Sequence, residues 1–213
     1  MKIVSVVRNL LRKKVIPKNP PYFHVTQIGD PVLRNVCKPI DPAEINSDRI
    51  QKIILQMKNV MKRFDLFGLS APQVGLPLRL FIVAFPDPEE SFSEGDIKKF
   101  EMQAFPHMVW INPEMKILDY KDKVTALEGC ASLKSLQAKV PRYRKVQLTG
   151  LDETGKPDSW TAEGWAARII QHEMDHLDGL LFTDSMLPKS LECVCWQDIN
   201  LQNGLLELRY YMS

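Results

Sequence analysis

Apolar residues recur at helical spacing in two stretches of the chain and at strand spacing in others. Ile50, Ile53, Ile54, Met57, Val60, Met61 and Phe64 fall at i, i+3, i+4 and i+7, the stripe of a helix that packs on a core. Asn46 or Ser47 offers its N-cap, and Gly68 offers its stop. Trp165, Ile169, His172 and His176 share the face of a second helix, which Gly179 would end. Arg79 to Phe85 reads as a strand. Lys145 to Leu151 alternates as another, and Asp152-Glu153-Thr154-Gly155 turns the chain back toward Trp160. Val124 to Leu127 is apolar and partly β-branched, so a strand end is expected just before Gly129 and Cys130. The chain contains no internal repeat. Asp87 to Gln103, charged and bounded by Pro86 and Pro106, reads as an exposed insertion.

Composition changes this picture little. A chain of 213 residues, 45% hydrophobic and 25% charged, fits one ordinary globular domain with extensions. A net charge of +2 gives no general nucleic-acid signature, because much of the excess is local. No apolar run approaches the roughly 20 residues of a membrane span. Lys2, Arg8, Arg12, Lys13, Lys14 and Lys18 all precede the first acidic residue, Asp30. Val4, Val7 and Leu11 form an apolar helical face opposite much of that charge, the pattern of an organelle-targeting segment. Pro17, Pro20 and Pro21 then mark a linker. The expected organisation is a basic targeting-like segment and linker over 1–21, a folded domain over 22–190 and a C-terminal extension over 191–213.

The chemistry concentrates in His172-Glu173-Met174-Asp175-His176. Histidines four apart on a helix project from one face and can grip a single cation, with Glu173 beside the metal as a general base. Two imidazoles leave the third ligand to be found. Phe182 stands where a three-histidine protease motif needs histidine, and phenylalanine cannot ligate. Glu192 is the downstream carboxylate that a metallopeptidase would use, but it lies beyond Pro188 in a segment without helical pattern. His24 and His107 have no supporting motif. The soft donors are Cys37, Cys130, Cys193 and Cys195, and Cys130 stands out because Gly129 before it permits close backbone approach. Cys193-Val194-Cys195 has metal-binding chemistry, but no second pair completes a zinc module, so unpaired thiols in a reducing compartment are expected.

Three separated stretches, in order, resemble the signature motifs of the peptide deformylases: Gly68-Leu69-Ser70-Ala71-Pro72-Gln73-Val74-Gly75, Glu128-Gly129-Cys130-Ala131-Ser132, and Gln171-His172-Glu173 through Asp175-His176-Leu177 to Gly179. The resemblance covers roughly Tyr22 to Leu187, and Gly164 to His172 is similar to the animal mitochondrial branch of that family. It implies an α+β fold of mostly antiparallel sheets packed around a central metal-binding helix. It also implies one divalent ion, Fe(II) or Zn(II) with Co(II) or Ni(II) able to substitute, held by Cys130, His172 and His176. Ligand identity alone does not choose among those ions. The implied reaction removes the N-formyl group from the initiator methionine of newly made organellar polypeptides and releases formate. Glu173 would carry the proton, while Gln73 and the Ala131 N–H would stabilise the oxyanion. Gly68, Leu69, Trp165 and Ile169 are the expected substrate contacts. Glu128, Arg142 and Asp175 are expected to steady the ligands through ion pairs. Formylated nascent chains, met near the ribosome in the mitochondrial matrix, would be the partners. The chain departs from the family pattern at Leu66 (usually glycine), Ser70 (usually alanine) and Ala131 (leucine in the bacterial type), and Lys134-Ser135 replaces a proline-containing turn. Two other classes fit the residues: a zinc metallopeptidase ligated through Glu192, and a weakly active or non-catalytic homologue in which the metal is structural or the altered cleft binds formyl-peptides without turnover.

Overall fold

The structure, a computed structural model, describes residues 20–207. The basic targeting-like segment, through residue 19, lies outside the described residues.

Eight strands are present among them: β1 (Gly68–Ser70), β2 (Leu80–Phe85), β3 (Phe105–Ile117), β4 (Lys123–Gly129), β5 (Leu136–Tyr143), β6 (Lys145–Leu151), β7 (Pro157–Glu163) and β8 (Glu192–Cys193). The helices are α1 (Asp48–Arg63), α2 (Glu94–Phe100), α3 (Gly164–Leu177), α4 (Phe182–Ser185) and α5 (Trp196–Leu201). Strands β1-β2-β3-β6-β7 form one sheet and β4-β5-β8 a second, with antiparallel pairing throughout. This is the α+β arrangement the motifs implied.

The larger sheet is covered on both faces, which explains why β2 reads as a continuous apolar run rather than an alternating one. Leu80 and Ile82 pack with Ile50, Ile54 and Met57 of α1. Phe81, Val83 and Phe85 point the other way and pack with Ala167, Ile170 and Met174 of α3. Helix α3 also contacts β5, so it lies between the two sheets. Its two histidines are thereby held within the packed interior.

Several local expectations change. Ser47 caps α1 as predicted, its hydroxyl accepting the Ile50 N–H. The helix stops before Gly68, because Asp65 adopts φ +52 and the Leu66 N–H bonds back to the Met61 carbonyl at 3.0 Å. Gly68 instead opens β1 opposite Val83. Asp87 to Gln103 is not a plain exposed loop. Its charges face outward, but Ser93 caps α2, and Phe92, Ile97 and Phe100 pack against the α3 side of the core with Met102 buried. Those four apolar residues are too widely spaced to announce the buried face in sequence. The N-terminal stretch of the domain ties two loops together: Thr26 N–H bonds to the Gln73 carbonyl and Ile28 N–H to the Ser132 carbonyl, both at 2.8 Å.

Helix α2 meets α3 at Gly164, where φ is +58 and an added Cβ would lie 2.6 Å from the Phe100 carbonyl oxygen. Gly164→Ala therefore combines left-handed strain with a backbone clash. The expected cost is about 2 kcal/mol, a fall of roughly 4–8 °C in Tm for a domain of this size. An unchanged Tm in scanning calorimetry would show that α2 yields without penalty.

Candidate active site

Strand β4 delivers Cys130 to the turn that follows Gly129, and α3 presents His172 and His176 from successive turns. Cys130 Sγ lies 3.3 Å from His176 Nε2, and ligand atoms of the three residues all fall within 4.8 Å of one another. His172 Nδ1 bonds Glu128 Oε1 at 2.7 Å, which fixes the tautomer and leaves Nε2 for a cation. Burial alone would raise the Cys130 pKa, but the facing His176 and His172 hold it well below its ordinary value. Burial would depress His172, yet Cys130 and Glu128 hold its pKa well above the usual range. A cysteine and two histidines so placed could hold a divalent metal, which suits sulfur and imidazole donors together.

Glu173 is 2% exposed, and its Oε2 has no hydrogen-bond partner among the described residues. Burial raises its pKa against the lowering influence of His172 and His176. Its carboxylate fills the space where a side chain at Gly68 would stand: an added Cβ would come within 2.8 Å of Glu173 Cδ. Gly68 is thus required by the neighbouring Glu173 side chain rather than by a turn.

Gln73 sits in the 3-10 turn Ala71–Val74. Its Oε1 accepts the Ser70 N–H at 2.9 Å and the Ser70 hydroxyl at 3.1 Å. Its Nε2 therefore turns toward Ser132 Oγ at 3.3 Å and Cys130 Sγ at 3.6 Å. The Ala131 carbonyl accepts from Gln27 Nε2 at 2.8 Å, which pins the turn carrying the Ala131 N–H. Ser70 and Ser132 stood within the motifs, but nothing in their spacing showed that they orient the glutamine.

Arg142 pairs with both carboxylates expected of it: Nη2 with Glu128 Oε1 and Nη1 with Asp175 Oδ2, each at 2.6 Å. Sequence reasoning missed Arg168, whose Nη1 bonds Glu128 Oε2 at 2.9 Å. The available signal was a cation four residues before His172, on the ligand's own helical face. Burial opposes the Glu128 charge, but hydrogen bonds and charge from His172 and Arg142 prevail and hold its pKa far below the carboxylate range.

A cavity of about 300 Å³ opens at this group, lined by Gly68, Gln73, Cys130, Ala131, Trp165, Ile169, His172 and Glu173 among others. Leu69 is not part of that lining. Its side chain is fully buried in the α1 cluster, because alternation along β1 turns it away from the face that Gly68 opens. Glu192 is exposed on β8 and bonded to Gln137 Nε2 at 2.6 Å, outside the ligand group.

A cysteine, two histidines that could hold a metal ion and a buried carboxylate meet at an apolar cavity, an arrangement of the kind a metal-dependent hydrolase uses. Residues 22–192 match the polypeptide deformylase family model. The human mitochondrial peptide deformylase is 42% identical over 199 residues, 92% of this chain and 81% of that one. Peptide deformylase 1A, chloroplastic/mitochondrial, of Arabidopsis thaliana is 43% identical over 183 residues, 84% of this chain and 67% of its own length. Among solved structures, a Synechococcus elongatus peptide deformylase in complex with actinonin superimposes with a TM-score of 0.64 at 29% identity, covering 95% of this chain and 96% of that one. A Met-Ala-Ser-bound class I type b enzyme from Acinetobacter baumannii gives 0.66 at 28% identity, over 82% of this chain and 100% of the other. The chain belongs to the peptide deformylase family, metal-dependent hydrolases that remove the formyl group from nascent polypeptides.

Cys130→Ser should abolish tight metal binding at neutral pH, because a serine hydroxyl does not supply the thiolate charge, whereas Glu192→Ala should leave binding unchanged. Metal analysis of the two purified variants distinguishes them. Stoichiometric metal in the Cys130 variant would overturn this ligand set.

Proposed function

We propose that Cys130, His172 and His176 hold one divalent ion and that Glu173, Gln73 and the Ala131 N–H perform the hydrolysis of N-formylmethionyl peptides. The observation that carries this reading is the partnerless Glu173 Oε2, buried beside three convergent soft and nitrogen donors. The donor set suits Fe(II) or Zn(II), with Co(II) and Ni(II) as substitutes. When bound, the ion supplies Lewis acidity to the formyl carbonyl and makes a water acidic enough to attack near neutral pH. Glu173 receives the proton of the attacking water and returns it to the departing amine nitrogen. Its raised pKa strengthens it as the acceptor in the first of these transfers. Gln73 Nε2, oriented by Ser70, and the Ala131 N–H donate to the oxygen as negative charge develops there. The bond between formyl carbon and amine nitrogen breaks, giving formate and a free amino terminus.

Trp165 and Ile169 line the apolar part of the cavity and would receive the methionine side chain. The peptide would run extended past Gly68 and Gly129, where main-chain groups are accessible to strand-like pairing. A structural zinc site would be closed by a fourth protein ligand, and among the described residues the group contains three. A metallopeptidase ligated through Glu192 is disfavoured by that residue's place on an exposed edge strand. The organellar relatives and the basic N-terminal sequence together support action in the mitochondrial matrix, close to the ribosome that supplies the substrate.

The test is formate release from formyl-Met-Ala-Ser under anaerobic, metal-defined conditions. The wild-type chain should turn over, and Glu173→Gln should keep its metal yet lose at least about 10²-fold in kcat, the usual scale for a missing general base. Near-wild-type kcat in that variant would remove Glu173 from the proton-transfer role.

A further inference from the structure

Four cysteines stand in this chain, and two have places already accounted for. Cys130 belongs to the metal group. Cys37 is buried, and burial pushes its thiol up to about 12, so it is inert. Cys193 and Cys195 remain, both partly exposed, with their sulfurs 3.2 Å apart. Cys193 lies on β8, the edge strand of the smaller sheet, opposite Leu136. Cys195 is the residue from which α5 begins. Val194 between them is exposed, and its N–H bonds to the Ser135 carbonyl at 2.9 Å.

We propose that Cys193 and Cys195 are a reversible dithiol–disulfide site, closed by exchange with a small disulfide of the glutathione type. Two sulfurs alone do not hold a metal firmly. Among the described residues, the group of three or more metal-binding side chains is the one at Cys130, so no third ligand joins this pair. The remaining shared chemistry of two such thiols is a bond between them, which requires the sulfurs to close from 3.2 Å to about 2.05 Å. Side-chain rotation on a β8 edge open to solvent permits that approach.

The exchange balances in two steps. Cys193 loses its thiol proton to solvent, and its sulfur attacks one sulfur of glutathione disulfide. That S–S bond breaks, and the first glutathione leaves as a thiolate that takes up a proton. Cys195 then loses its proton, and its sulfur displaces the second glutathione from Cys193. The protein pair gives up two electrons, and one glutathione disulfide becomes two thiols. The hydrogen bond between the two sulfurs raises the Cys195 pKa. Closure would tie the end of β8 to the start of α5, beside the turn at Ser135 that leads out of the Cys130 loop.

The test uses the metal-loaded full chain incubated with glutathione disulfide and read by intact mass, thiol count and peptide mapping. The expected product is a monomer lighter by two hydrogen atoms. Its titratable thiols, counted after denaturation and metal removal, should fall from the four of the sequence to two. The link should map to Cys193 and Cys195, and dithiothreitol should reverse it. Cys193→Ser and Cys195→Ser should each end instead with a stable glutathione adduct on the remaining thiol. A wild-type product that keeps glutathione adducts, pairs between chains, links through Cys37 or Cys130, or leaves Cys193 and Cys195 both free would overturn the proposal.

Discussion

Glu128 accepts hydrogen bonds from Arg142, Arg168 and His172 at once, and through them β4, β5 and α3 meet at one buried carboxylate. The proposed ligands come from α3 and from the turn that follows β4, so their separation depends on this contact. Cys130 follows Glu128 by two residues, and His172 is held by Glu128 directly. A buried ion cluster of this kind is poor evidence for net stability, since desolvation offsets much of its Coulomb energy. Its value is geometric. Removing one partner leaves buried charges uncompensated, at a cost of about 3–5 kcal/mol, so alternative spacings of the two elements are strongly disfavoured.

The rest of the domain supplies the walls around that contact. Packing on both faces of the larger sheet seats α3 between sheets, which buries Glu173 and displaces its pKa. Gly68 lacks a side chain where Glu173 needs space, and Ser70, two residues on, orients Gln73. The stretch through Thr26 and Ile28 joins the Gln73 turn to the Cys130 turn by main-chain hydrogen bonds, so the two oxyanion donors proposed above share one scaffold.

How much of this was legible depended on how local each feature is. His172 and His176 lie one helical turn apart, and their spacing alone set their common face, with Glu173 next to His172 in sequence. α1 was legible for the same reason, although its stop was not, because Asp65 rather than a glycine adopts the left-handed conformation. Cys130 needed the neighbouring motif to separate it from three other thiols. Arg168 stands one turn before His172 on the same face, but its role was hidden because its partner Glu128 lies 40 residues away on another element. Leu69 was misplaced because a motif position does not reveal which way a strand residue points. The packed face of Asp87 to Gln103 was hidden among its eight charged residues.

The central claim is that Glu128 sets the spacing of the metal ligands, and Glu128→Gln tests it with little change in size. Chelator competition on the folded variant, reconstituted with Co(II) or Zn(II), measures the affinity of the site directly. The account predicts metal binding weaker by about 10–100-fold, the scale seen when a ligand's supporting hydrogen bond is lost. Unchanged affinity in a folded variant would contradict it, and would mean that packing of α3 alone holds His172 and His176 opposite Cys130.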